Sequence, residues 1–187
     1  ENSAVLLKNE GGILPVGEKV QAAVIGDFAF DPRYQGAGSS MVNSTKVDSI
    51  KDMLETSGIS VTGIVRGYQR DGKEDEAMKK EAVDLARRSD VVLFFFGLNE
   101  KSETEGLDRK HLRIPQNQIN LIQELAKANA NMVGIISAGS VIEMPWHHHF
   151  KALLHTALMG QAGAGAVLDI LSGKVNPSGK LAETYIK

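Results

Sequence analysis

Four largely apolar runs, each five or six residues long and bounded by Gly, Asp, Asn or Ser, punctuate the chain at 21–25, 61–65, 91–96 and 132–136. Runs of this length without polar alternation predict strands buried on both faces. Between them apolar positions recur with helical period: Val47, Ile50, Met53 and Leu54, then Ala77, Ala82, Leu85 and Ala86, then Leu121, Ile122 and Leu125. Beyond the fourth run, 152–157 predicts a fifth strand, 164–171 a further helix and 181–185 a last edge strand, while the start of the chain reads as a helix. Alternation of strand and helix at this spacing implies right-handed crossovers. The expected fold is an α/β, doubly wound, mostly parallel sheet sandwiched between helices, flavodoxin-like, with residues 1–187 in a single domain. No internal repeat, low-complexity tract or linker interrupts the pattern.

In open sheets of this kind ligands sit beyond the carboxyl ends of the strands, at the topological switch point. The loops expected there are 26–43, 97–115 and 139–149, and the first two exceed the roughly 12 residues beyond which an unstructured loop tends to be functional.

Size and charge narrow the classes. The 187 residues, 42% of them hydrophobic, suffice for one sizeable core. Lys and Arg number 21 against 23 Asp and Glu, so no general field draws nucleic acid or an anionic membrane. No apolar run reaches the roughly 20 residues of a membrane span. With no cysteine, disulfides and thiolate chemistry are excluded. This favours a cytoplasmic over a secreted location and leaves the compartment open. The chain lacks an initiator Met and stops directly after 181–185, so it reads as a piece of something longer.

The loop after the third run carries Glu100, Glu103, Glu105 and Asp108, four carboxylates in nine residues. Carboxyl groups move protons when their surroundings tune them, and a mobile loop can bring one onto a substrate held elsewhere. On composition alone a solvated acidic loop is the plainer reading.

The order of residues says more. From 91 to 115 the chain closely resembles family 3 glycoside hydrolases of the β-glucosidase type. There a hydrophobic strand leads into Glu-x-Glu-Gly-x-Asp-Arg, then Leu-x-Leu-Pro and a Gln-rich helix start. Here the corresponding residues are Glu103 to Arg109 and Leu112-Arg113-Ile114-Pro115. Further matches follow in the family's order. They are Val5-Leu6-Leu7-Lys8-Asn9-Glu10, Leu14-Pro15, Pro32-Arg33-Tyr34-Gln35-Gly36-Ala37-Gly38-Ser39-Ser40, Glu143-Met144-Pro145-Trp146, Gly160-Gln161-Ala162-Gly163 and Asn176-Pro177-Ser178-Gly179-Lys180-Leu181. The resemblance implies the α/β sandwich domain of a retaining enzyme acting on β-glucosides. Its partner, a (β/α)-barrel domain of the same enzyme, supplies an Asp nucleophile and is absent from this chain. Glu105, before the Gly, is the implied acid/base, with Glu103 the rival because alternate residues of an extended loop point in similar directions. Tyr34, Ser39 and Ser40 are implied sugar contacts. Asp108 and Arg109 are read as loop support, through pairing with each other or Arg hydrogen bonds to carbonyls. No cofactor or metal is called for, a homo-oligomer is left open, and the isolated chain is expected to be inactive.

Other motifs have plainer explanations. Gly36-Ala37-Gly38 is followed by Ser39-Ser40-Met41 and lacks the third glycine of a dinucleotide fingerprint. The small residues of 160–165 suit close packing of helix on sheet. His147, His148 and His149 are consecutive and point different ways, unlike ligands at i and i+4. Trp146 suits a core as well as a sugar face. The rivals in function are a non-catalytic sugar-binding or scaffold module and a β-xylosidase of the same family. A relative acting on N-acetylglucosaminides is disfavoured, since such enzymes place their acid/base in the barrel.

Overall fold

The run predicted to be buried on both faces is the central strand of the sheet. In the computed structural model, which describes residues 1–186, β4 (Val91–Gly97) has no exposed residue. Val92, Phe94 and Phe96 enter one core, and Val91, Leu93 and Phe95 enter another on the opposite face. A two-residue period of this kind needs apolar side chains at every position when both faces are covered. The flanking strands are β2 (Ala22–Ile25), β3 (Val61–Val65), β5 (Met132–Ser137) and β6 (Ala152–His155), all parallel to β4. The helices α1 (Ile50–Ser57) and α4 (Gly163–Leu171) pack together over one face, and α2 (Glu76–Arg87) and α3 (Gln116–Ala128) over the other.

Local chemistry sets the helix starts. The Ser49 hydroxyl accepts from the Asp52 amide at 3.1 Å and donates to its carboxylate at 2.7 Å, opening α1. Asp75 accepts from the Met78 amide at 3.0 Å and opens α2. Such caps contribute about 1 kcal/mol each.

The first residues form a strand where the sequence pattern suggested a helix. β1 (Val5–Asn9) runs antiparallel beside β6, with a bulge between Leu6 and Lys8. Leu6 packs against one core and Leu7 against the other, as alternate strand residues do. Five residues with a short apolar run do not separate the two periods, so the sheet edge decides. Because β1 takes that edge, the expected strand at 181–185 does not form. That segment is held instead by the Tyr185 hydroxyl on His155 Nε2 at 2.8 Å and the Ile186 carbonyl on the Met144 amide at 2.8 Å. β6 stops at His155, short of the expected 157, since Ala157 adopts a positive φ of 50°.

The strand order is β1-β6-β5-β4-β2-β3. The chain winds outward from β2 to β3, crosses back to β4 and continues through β5 to β6, so the switch point lies between β2 and β4. Two glycines open it. Gly26 and Gly97 end β2 and β4 at φ 129° and 144°, and a Cβ on either would lie 2.0 Å from a neighbouring strand's carbonyl oxygen. Only glycine permits both the conformation and the approach.

Candidate functional site

Three loops meet beyond the switch point. Ala37 and Thr104 form an isolated parallel bridge, joining the segment after β2 to the carboxylate loop after β4. The Glu105 amide reaches the Ala37 carbonyl at 3.4 Å, and a Cβ on Gly38 would sit 2.9 Å from the Glu105 Cβ. The third participant is the turn after β5, at Gly139 and Ser140.

The two carboxylates of the Glu-x-Glu pair have opposite surroundings. Glu103, with its side chain 8% exposed, accepts the Gly139 amide at 2.9 and 3.0 Å on its two oxygens and the Ser140 hydroxyl at 2.7 Å. Arg33 Nη2 lies 3.6 Å away. Glu105 is exposed, and its carboxylate is met only by the Ser39 hydroxyl among the described residues. Arg109 Nη1 donates to the Ser140 hydroxyl oxygen and the Val141 carbonyl, both at 2.8 Å. Both legs of the loop therefore end on Ser140, with 104–108 as a crest between them. Beside the crest lies an open hollow of about 460 Å³, lined by Ser40, Ser102, Glu105, Leu107 and Leu158 among others. A hollow of about 490 Å³ at the opposite end of the strands, between Gly11, Val20, Asp90 and Lys151, is remote from these loops.

The remaining sequence candidates are placed as follows. Tyr34 is half-buried, and its hydroxyl accepts from Gln35 Nε2 at 2.7 Å. The Ser40 hydroxyl donates to the Ala37 carbonyl at 3.3 Å. Asp108 is exposed and pairs with no cation among the described residues, so its pairing with Arg109 is not seen and the Arg-to-carbonyl alternative is. Trp146 is buried, 5.0 Å from the Phe96 ring and 5.7 Å from Phe150. His147 and His148 each turn Nδ1 to a backbone carbonyl at 2.9 Å.

Sequence reasoning missed the charges beneath the crest. Arg66 pairs with Asp27, and Asp27 with Arg70 at 2.6 Å. Arg70 meets Glu100 at 3.1 Å, and Glu100 faces Arg33 at 3.9 Å, from which the chain of ion pairs passes to Glu103. Arg33 was visible only as a member of a loop motif and Ser140 only within the loop 139–149; the contacts that give them roles span tens of residues. Nearby, burial pushes the His155 imidazole below its ordinary value, with the Glu103 carboxylate pulling the other way. Tyr68 is driven well up by burial, and its hydroxyl donates to the Phe95 carbonyl at 3.0 Å.

Fold and loops together define a doubly wound sandwich with a presented carboxylate at its switch point. Residues 4–187 match the family described as Glycosyl hydrolase family 3 C-terminal domain, and the chain belongs to that family. It is 44% identical to the thermostable beta-glucosidase B of Acetivibrio thermocellus, over 98% of this chain and 25% of that protein. An exo-alpha-(1->6)-L-arabinopyranosidase of Bifidobacterium longum is also 44% identical, over 97% of this chain and 25% of its own length. The crystal structure of a Bifidobacterium adolescentis GH3 beta-glucosidase superposes with a TM-score of 0.92 at 45% identity, covering 98% of this chain and 27% of that one. The chain thus spans about a quarter of these relatives.

Proposed function

We propose that this chain is the acid/base domain of a retaining β-glucosidase, with Glu105 as proton donor and acceptor and the nucleophile on a (β/α)-barrel domain of the same enzyme. The observation that carries the reading is the contrast within one loop: Glu103 is occupied by an amide, a hydroxyl and a guanidinium, and Glu105 is presented at the rim. In the first step Glu105 would protonate the glycosidic oxygen as the barrel carboxylate takes the anomeric carbon. In the second it would take a proton from the water that releases the sugar. In retaining enzymes the two carboxyl groups stand about 5 to 5.5 Å apart, so the crest must reach into the barrel's cleft. Met41, Val42 and Leu107, among the few large apolar side chains left exposed, lie on the two loops that meet around Glu105 and give apolar surface for such a partner. Ser40 lines the hollow and Ser39 touches Glu105, which keeps both near a bound sugar, while Tyr34 has its hydroxyl engaged by Gln35.

The test is Glu105→Ala in the intact parent enzyme. Turnover of a poor leaving group is expected to fall about 10²- to 10⁴-fold, the usual contribution of general acid–base catalysis. Azide should restore turnover of an activated aryl glucoside and yield the glycosyl azide; unaffected activity would move the role to Glu103. The chain by itself is expected to show no turnover, and measurable hydrolysis would overturn the two-domain assignment.

A second reading concerns the sugar, since the arabinopyranosidase of Bifidobacterium longum is as similar as the glucosidase. Aryl β-D-glucoside, β-D-xyloside and α-L-arabinopyranoside compared by kcat/KM decide it. A lead for the arabinopyranoside would change the glycone and leave the role of Glu105 intact.

A further inference from the structure

Arg33 is 2% exposed, an unusual depth for a guanidinium, and it does not line the hollow beside Glu105. Nη1 donates to the Gln35 carbonyl of its own loop. Nη2 faces Glu103 at 3.6 Å and Nε faces Glu100 at 3.9 Å, and neither nitrogen has a hydrogen-bond partner among the described residues. These contacts are longer than hydrogen bonds, so they act chiefly through charge, poorly screened at buried Glu103 and more screened at Glu100, whose side chain is 41% exposed. Glu100 and Glu103 mark the two ends of the rising leg that leads to the crest. Through them Arg33 holds that leg against its own loop, whose next residues bridge Thr104 and touch Glu105. Without the cation, Glu103 would keep its amide and hydroxyl donors and lose its one salt-bridge partner among the described residues.

We infer that Arg33 is a positioning residue for the acid/base: by pinning Glu100 and Glu103 it sets where the crest delivers the Glu105 carboxyl. The inference rests on the reading of Glu105 given above. Lysine is a poor substitute, because one ammonium on a flexible stem cannot face two carboxylates and a carbonyl as a planar fork does.

The experiment compares Arg33→Met and Arg33→Lys with the wild-type parent enzyme across β-glucosides of graded leaving-group acidity, using kcat/KM to report formation of the glycosyl-enzyme. The dinitrophenyl glucoside, whose phenolate departs without a proton, is expected to change little. Phenyl and methyl glucosides should fall about 100-fold in Arg33→Met, the cost of a displacement of about 1 Å at the reacting group. Arg33→Lys should recover part of the loss, and millimolar guanidinium should rescue Arg33→Met. An equal loss on every substrate would mean a merely structural role, and no loss would mean none; either overturns the proposal. If Arg33→Met does not fold, Glu103→Gln takes its place, with the same graded loss expected and a uniform loss overturning it. Glu105→Ala in the same series separates the two ideas. A graded loss in Glu105→Ala with a uniform one in Arg33→Met defeats only the positioning role, whereas an ungraded Glu105→Ala defeats the acid/base reading itself.

Discussion

The legs of the carboxylate loop and its crest differ in what surrounds chemically identical groups. On the leg, Glu103 is enclosed by Gly139, Ser140 and Arg33; two residues on, Glu105 stands in solvent with one serine for company. A carboxylate engaged by an amide, a hydroxyl and a nearby guanidinium is committed to the loop's shape, and one without such neighbours cannot hold a loop in place. On the reading proposed above, Glu103 and Glu105 divide two tasks between them, loop support and proton transfer.

The sharpest break comes from comparing Glu103→Ala with Glu105→Ala in the isolated chain. Removing Glu103 leaves buried Arg33 facing only the half-exposed Glu100 among the described carboxylates, and about 3 kcal/mol of stability should be lost in urea unfolding followed by circular dichroism, as when one partner of a buried pair is deleted. Removing Glu105 should move the same measurement by no more than about 0.5 kcal/mol, as for an exposed position. Equal effects would erase the distinction between leg and crest. Ser140→Ala removes one hydroxyl that serves Glu103 and Arg109 together, so a loss of about 1 to 2 kcal/mol is expected. In the same variant, amides 104–108 should exchange hydrogen faster than those of β4.

A pH series probes the ground beneath the legs. Burial lowers the His155 pKa in the fold, so the unfolded chain binds the extra proton first. Stability is then fully present above the ordinary imidazole value of 6.5 and is lost as pH falls below it. The urea midpoint should therefore drop between pH 7 and 5.5, and the His155→Gln variant should show a flatter profile. The smallest effect is expected at Asp108, exposed on the crest and without an ionic partner among the described residues: Asp108→Asn should stay within about 0.5 kcal/mol.

What could be read beforehand follows from the range of the forces involved. β4 was legible because burial on both faces requires an unbroken apolar run, and α2 because the Ala82, Leu85, Ala86 face is a local signal. β1 and the segment 181–185 were misread because an edge strand is chosen by its neighbour, and β6 lies some 150 residues from β1. In the site, the Glu-x-Glu spacing showed two candidates and could not rank them. What distinguishes them comes from Arg33 and from Gly139 and Ser140, tens of residues away on either side.

The footing of both legs on Ser140 has a consequence for how such a domain can change. With entry and exit tied to one hydroxyl and Thr104 and Glu105 held against Ala37, the tip from Gly106 to Asp108 can change its residues while the scaffold beneath keeps its shape. A different tip could therefore be grafted between Glu105 and Arg109 without renegotiating the rest of the molecule.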